Sequence, residues 1–145
     1  MAIDRSGDHW RGENFDDLAA YIRLFEAGGY DVEHVREHSC PECRGTSFRV
    51  LIDDEQGCAF TICHQCQAEA AIADSADQLD DAELEECACP CGAETFAVAT
   101  GFAMFDATEI RHISVGLRCL TDGTLGVYTD WQIDYSPSAH LLTNA

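Results

Sequence analysis

The spacing of the cysteines constrains this chain more than any other feature. Two Cys-x-x-Cys pairs, Cys40/Cys43 and Cys63/Cys66, are separated by 19 residues with strand character. The two-residue gap lets a tight turn point both sulfurs at one ion, and the stretch between the pairs is long enough for a hairpin. Four thiolates arranged in this way can surround a tetrahedral Zn²⁺ at roughly 2.3 Å. The pattern therefore predicts a structural metal site.

The residues around these cysteines are patterned as short β-strands. Residues 47–52 and 59–62 read as two strands, and residues 53–57 between them read as a turn. Residues 30–38 form an extended lead into the first pair, and residues 68–73 can add a third strand. The predicted unit is a hairpin with one cysteine pair at each end.

This order of cysteine pair, hairpin, cysteine pair and third strand resembles the zinc-ribbon family over residues 38–73. The resemblance implies that the four cysteines are ligands of a structural zinc, without which so small a unit would not fold alone. Ribbons often carry glycine just after each second cysteine, whereas here Arg44 precedes Gly45 and Gln67 takes the other position. The whole chain also resembles a group of small acidic bacterial proteins with the same cysteine pattern, which implies no activity.

The second half of the chain repeats the first imperfectly. Phe96 and Val98 follow Cys91 at the offsets at which a phenylalanine and a valine follow Cys43. Two long strands are expected in this half, over 94–105 and 110–118, with a turn at 106–109 between them.

The repeat predicts a second metal site. Cys89 and Cys91 replace the first cysteine pair with a tighter Cys-x-Cys, and the second long strand delivers Cys119. These three cysteines are the expected ligands, and they align with three of the four cysteines of the first site.

The fourth ligand of this site is open between Cys87, Asp122 and His112. Cys87 ranks first because thiolate suits zinc and completes a second set of four. Cys58 is left over and is expected in the core, where unpaired cysteines are common. We therefore expect two zinc ions, with the ligands Cys40, Cys43, Cys63, Cys66, Cys87, Cys89, Cys91 and Cys119.

A helix is predicted ahead of the cysteines, over residues 14–27. Asn14 is suited to the N-cap and Asp17 to the capping-box position, while glycines at 28–29 end the segment. Its apolar face, at helical spacing, is expected to pack on the rest of the protein.

The last strand has the clearest alternation in the chain. Its apolar or β-branched positions recur with period two, which is typical of a half-buried strand. They are Val127, Thr129, Trp131, Ile133 and Tyr135.

These elements predict a mostly β (α+β) fold, with an N-terminal helix followed by two tandem zinc-ribbon-like antiparallel β units that share a core. The expected divisions of the chain are 1–38 for the helix and lead-in strand, 39–75 for the first ribbon, 76–86 for an acidic linker and 87–145 for the second unit.

The charge limits the partners of the chain. Its net charge is −19, from 8 basic residues, all arginine, and 27 acidic ones. Phosphate binding needs a basic stripe, and anionic membranes attract basic segments, so this composition argues against nucleic acid as a partner and against binding to a membrane. The N-terminus lacks a basic leader followed by an apolar core, which favours the cytoplasm, where paired cysteines more often bind metal than each other.

No arrangement of residues typical of catalysis is present. The sequence has no Gly-x-Ser-x-Gly or phosphate loop, and Gly116, Gly123 and Gly126 are expected in turns. We therefore expect a non-enzymatic zinc-binding protein that acts through protein–protein interaction, as an adaptor, inhibitor or immunity factor for a basic partner. Two alternatives remain open: a zinc-ribbon accessory factor in transcription or translation, and a zinc enzyme that uses the second site.

Overall fold

The computed structural model describes residues 10–25, 31–40, 42–53, 57–72, 75, 82–106 and 109–133. One α-helix and eight strands lie in these ranges. Their bounds are α1 (Phe15–Phe25), β1 (His34–Glu37), β2 (Phe48–Asp53), β3 (Cys58–Cys63), β4 (Glu69–Ala71), β5 (Glu85–Glu86), β6 (Phe96–Asp106), β7 (Glu109–Cys119) and β8 (Leu125–Gln132). The predicted class, a mostly antiparallel β protein with an N-terminal helix, is confirmed.

The strands form one sheet in the order β4-β3-β2-β6-β7-β8, with β1 paired to β6 and β5 paired to β2. Each half of the chain contributes a hairpin and a third strand, β2-β3-β4 and β6-β7-β8, as the cysteine spacing predicts. The segment predicted as a linker ends in β5, which pairs with β2, whereas residues 76–81 lie outside the described ranges.

The two halves exchange their lead-in strands. β1 precedes the first cysteine pair in the chain but pairs with β6 of the second half. β5 precedes the second set of cysteines but pairs with β2 of the first half. The hairpins themselves meet where Phe48 pairs with Phe96, and these are the two phenylalanines that the repeat aligns with each other. The halves are therefore related by an approximate two-fold operation within one sheet.

The exchange is repeated at the level of single hydrogen bonds. The N–H of His38 donates to the carbonyl of Val98 at 2.8 Å, and the N–H of Cys87 donates to the carbonyl of Val50 at 2.8 Å. Val50 and Val98 are counterparts in the repeat. Cys87 is consequently the counterpart of His38.

Helix α1 begins where the capping residues predict. The Asn14 side chain accepts from the N–H of Asp17 at 3.0 Å, and the Asp17 carboxylate accepts from the N–H of Glu13 at 2.8 Å. The end of the predicted helix, beyond Phe25, lies outside the described residues. Leu18 and Ile22 are fully buried, so the apolar face packs on the protein as expected.

The helix packs on glycines of the second half. A Cβ atom at Gly101 or at Gly116 would lie 2.5 Å from a side-chain carbon of Ile22. The prediction that Gly116 and Gly126 are turn residues is wrong, because Gly116 lies within β7 and Gly126 within β8. Gly116 is required for the close approach of the helix. Of the three glycines predicted in turns, only Gly123 lies in one, with φ of +81°.

The Gly116→Ala substitution is expected to destabilise the fold by about 1–3 kcal/mol through overpacking against Ile22. Chemical denaturation measures this loss. The Ile22→Ala substitution removes the contacting Cδ1 and Cγ1 atoms, so Gly116→Ala should cost much less in that background. An equal cost in both backgrounds would contradict the packing described.

The last strand contains a β-bulge that its alternation does not reveal. Val115 pairs with Thr129 and Gly116 with Val127, which leaves Tyr128 as an extra residue. Val127 packs with the helix, whereas Tyr128 and Trp131 pack against the larger core. The prediction of one continuous face is therefore wrong at Val127. Tyr135 lies outside the described residues.

The larger core joins both hairpins. It includes the aligned pairs Phe48 with Phe96 and Val50 with Val98, all of them at most 1% exposed. Cys58 is buried, as predicted. Among the described residues, no helix is long and apolar enough to cross a membrane.

Candidate metal centres

The first group consists of the four cysteines at the ends of the first hairpin. The Sγ atoms of Cys40, Cys43, Cys63 and Cys66 all lie within 4.8 Å of one another. The Cys40–Cys66 and Cys43–Cys63 sulfur distances are 3.5 and 3.4 Å. A disulfide would place sulfurs at about 2.05 Å, and none is formed.

These distances fit a tetrahedral ion. Zn²⁺ with Zn–S bonds of about 2.3 Å places its sulfurs about 3.8 Å apart. Cys40 and Cys63 are buried, and Cys43 and Cys66 are exposed, so the group lies at the surface end of the hairpin. The structure thus brings together the four cysteines predicted for the first site, and no other described residue belongs to this group.

Two backbone turns, here called knuckles, hold the four sulfurs. In the first, the N–H of Arg44 donates to the carbonyl of Cys40, and the N–H of Cys40 donates to the carbonyl of Gly45. In the second, the N–H of Gln67 donates to the carbonyl of Cys63, and the N–H of Cys63 donates to the carbonyl of Ala68, each at 2.9 Å. Arg44 and Gln67 have φ of 61° and 65°. The left-handed conformation that glycine provides in ribbons is therefore kept by two larger residues.

The knuckle amides also favour ionised sulfur. The backbone N–H of Cys43 lowers the pKa of the Cys40 thiol, and the N–H of Cys66 lowers the pKa of Cys63 to about 6. Zinc binds thiolate, not thiol. The first cysteine of each knuckle is thus prepared to act as a ligand.

The second group contains three cysteines and an aspartate. Cys89, Cys91, Cys119 and Asp122 each place one ligand atom within 4.8 Å of the others. Cys91 and Cys119 sulfurs are 3.7 Å apart, and the Cys89 thiol donates to Asp122 Oδ1 at 3.5 Å. The three cysteines named from the repeat are therefore brought together.

Asp122 stands where Cys66 stands in the first group. The N–H of Gly123 donates to the carbonyl of Cys119 at 2.9 Å, as the N–H of Gln67 donates to the carbonyl of Cys63. The N–H of Cys119 then donates to the carbonyl of Thr124, which completes the same turn. The N–H of Thr124 donates to Asp122 Oδ1 at 2.9 Å and holds the pKa of that carboxyl well below its usual range. The carboxylate is thus fixed and ionised, as a metal ligand must be.

The Cys89-x-Cys91 turn is a knuckle shortened by one residue. The N–H of Gly92 donates to the carbonyl of Cys89, and the N–H of Cys89 donates to the carbonyl of Ala93, each at 2.8 Å. Gly92 has φ of 94°, the left-handed region that also follows the other knuckle ligands. The shorter spacing therefore still presents both sulfurs to the group.

Cys87, the first choice for the fourth ligand, does not belong to the second group. The N–H of Cys87 donates to the carbonyl of Val50, just as the N–H of its counterpart His38 donates to the carbonyl of Val98. Cys87 is 5% exposed and lies in the core. Burial raises the pKa of Cys87 and of Cys89 to about 12, but only Cys89 lies within reach of the other ligands. The geometry favours Asp122 in the fourth position.

His112 lies elsewhere on β7. Its Nε2 is 2.8 Å from Asp130 Oδ1, and seven positions along the strand separate it from Cys119, a span of roughly 23 Å at 3.3 Å per residue. His112 is therefore excluded as a fourth ligand by distance.

No protein-family model, curated protein or solved structure matches this chain. The relation to zinc ribbons is thus a resemblance in cysteine pattern and in the order of knuckles and hairpins. The two groups can hold metal ions, and their donor atoms are those of structural zinc sites.

Proposed function

We propose that this chain is a non-enzymatic zinc-binding protein that uses two zinc ions to build a scaffold and acts by binding another protein. The observation that carries the proposal is the knuckle geometry, which brings four ligand atoms within 4.8 Å of one another at each group. Four protein ligands fill the coordination shell of zinc and leave no open position for a substrate. The metal then contributes to folding and not to chemistry.

Zinc is the metal that this donor set favours. The ligands are seven thiolates and one carboxylate over the two groups. Soft thiolates in tetrahedral arrangement select zinc among the common divalent ions, whereas magnesium and calcium take oxygen ligands.

The charge supports a basic protein partner. A net charge of −19 repels nucleic acid and attracts cationic surfaces. A partner with a basic site would fit an adaptor, an inhibitor or an immunity factor. The acidic surface would then speed association more than it would increase final affinity.

Affinity capture from the native source tests this role. The tagged, zinc-loaded protein should recover a discrete protein partner at low salt, and recovery should fall as salt screens the charges. The control is the same bait after zinc removal by a chelator, which should recover none. Recovery of no protein at low salt would contradict the proposal.

A zinc enzyme that uses the second group is the other candidate, and the carboxylate of Asp122 favours it. Catalytic zinc sites mix carboxylate or imidazole with a position open to water. A Co²⁺-substituted protein distinguishes the two. If both groups are closed, azide should leave the visible spectrum of the bound cobalt unchanged. An azide-dependent spectrum that disappears in the Cys119→Ser variant would favour the enzyme.

A further inference from the structure

The outer face of the first hairpin carries an apolar groove. Its cavity has a volume of about 340 Å³ and is lined by Leu51, Phe60, Thr61, Ile62, Glu69, Ala70, Ala71 and Leu84. The apolar side chains among them, such as Leu51, Phe60 and Ile62, are half-buried and so remain partly accessible to a partner.

The strand register explains why these residues meet. Leu51 pairs with Phe60, which in turn pairs with Ala71, so three apolar side chains form one row across the sheet. Ile62 lies in the next row, between Arg49 and Glu69. The groove is therefore a regular feature of the sheet.

The approximate two-fold operation gives this face a counterpart in the second half. Leu51 and Phe60 correspond to Ala99 and Gly116, which the repeat places at the same distances from their cysteines. That counterpart is covered by α1, whose Ile22 side chain lies against Gly116. Among the described residues, α1 is the one α-helix, and it packs on the second half and not on the groove.

The rim of the groove is acidic. Glu86 pairs with Leu51 across β5 and β2, and it forms an ion pair with Arg49 at 2.7 Å. The neighbouring Glu86 carboxylate raises the pKa of the Glu94 carboxyl. Glu69 is exposed on the opposite side of the groove. Glu86 and its neighbour Glu94 therefore lie on one side of the apolar floor and Glu69 on the other, with Arg49 paired to Glu86.

We propose that this groove binds an amphipathic helix of a partner protein, with apolar side chains on the floor and arginine or lysine against Glu86, Glu94 and Glu69. The inference rests on the proposed protein-binding function and names its surface. A helix fits because α1 occupies the corresponding face of the second half, and basic residues fit because the rim is acidic.

A synthetic amphipathic peptide with leucines on one helical face and arginines on the other tests the inference. Added to the zinc-loaded, full-length protein, it should shift the methyl NMR signals of Leu51 and Ile62 and bind saturably. The same peptide with glutamates in place of arginines should bind at least about tenfold more weakly. A scrambled peptide of the same composition, which has no apolar face, should leave these methyl signals unshifted.

Two charge variants form a matched pair for this experiment. Glu86→Gln combined with Glu94→Gln should weaken binding of the basic peptide about tenfold. Glu33→Gln combined with Glu37→Gln makes the same charge change at exposed positions before and within β1, and should leave the affinity within about twofold. Leu51→Ser, made with all four of these glutamates kept, should also weaken binding of the basic peptide. The zinc content of this variant checks that its fold is intact.

Several results would overturn the inference. Equal weakening by both charge pairs would indicate general attraction, and shifts confined to other methyl groups would place the peptide elsewhere. Contacts from residues 76–81 to the methyls of Leu51 and Ile62 in the free protein would assign the groove to the chain itself. A dimer in sedimentation that Leu51→Ser dissociates would assign it to a second copy. If affinity capture still recovers a partner with the groove variants, the docking site is wrong but the proposed function stands.

Discussion

Replacing Cys63 by serine is expected to remove one zinc ion and to unfold the first half of the protein. Cys63 is fully buried, ends β3 and provides a sulfur 3.4 Å from that of Cys43. Structural zinc contributes about 10–16 kcal/mol to folding in small domains, which exceeds or equals the whole stability of a typical protein at about 5–15 kcal/mol. The remaining three sulfurs cannot hold the ion with comparable strength.

Zinc analysis and thermal denaturation measure this effect together. The variant should bind one zinc fewer and should lose its cooperative transition or show it at a much lower temperature. Cys58→Ser is the matched control, because Cys58 is buried in the same strand but belongs to neither group. An unchanged zinc content in Cys63→Ser would contradict the first metal site.

Replacing Cys119 by serine is expected to remove the second zinc and to loosen β7 and β8. Cys119 is fully buried, and the knuckle that follows it connects these two strands. The loss should also reach the helix, because Ile22 of α1 packs on Gly116 of the same strand β7. The first zinc site should keep its metal, because its four sulfurs all come from the first hairpin and its flanks.

Hydrogen exchange resolves this regional effect. Amides of β7 and β8 should exchange faster in Cys119→Ser, while those of β2 and β3 should change less, since local opening follows local contacts. Uniform acceleration over both hairpins would show that the two zinc ions stabilise a single cooperative unit. Unchanged exchange and unchanged zinc would show that the second group holds no metal.

Features that depend on neighbouring residues were predictable from the sequence. The two-residue gaps at Cys40/Cys43 and Cys63/Cys66 define knuckles locally, and the hairpin between them needs only a turn. The cap at Asn14 likewise depends on residues within one helical turn. These predictions agree with the described structure because short-range geometry determines them.

Features that depend on the other half of the chain were not predictable in the same way. The exchange of β1 and β5 joins segments distant in sequence, and alternation alone cannot reveal which strand a lead-in segment pairs with. The need for a glycine at 116 is not visible in the sequence, because its contact, Ile22, is far away in the chain. The bulge at Tyr128 shifts the face of β8 without changing its composition.

The fourth ligand of the second group shows how a chemical preference can outweigh a positional one. Thiolate suits zinc better than carboxylate, which favoured Cys87. The repeat offsets point instead to Asp122 as the counterpart of Cys66, and to Cys87 as the counterpart of His38. Greater weight on the Cys119-x-x-Asp122-Gly123 spacing would have identified the residue that the structure places in the group.

The most direct test of the two-site account is the zinc content per chain of the native protein, Cys87→Ala and Asp122→Ala, measured after dialysis against a weak chelator. The account predicts two zinc ions for the native protein and for Cys87→Ala, and one for Asp122→Ala. Cys87→Ala should still lose about 1 kcal/mol of stability, because its side chain is buried. One zinc in Cys87→Ala with two in Asp122→Ala would contradict the assignment, and one zinc in all three proteins would contradict the second site itself.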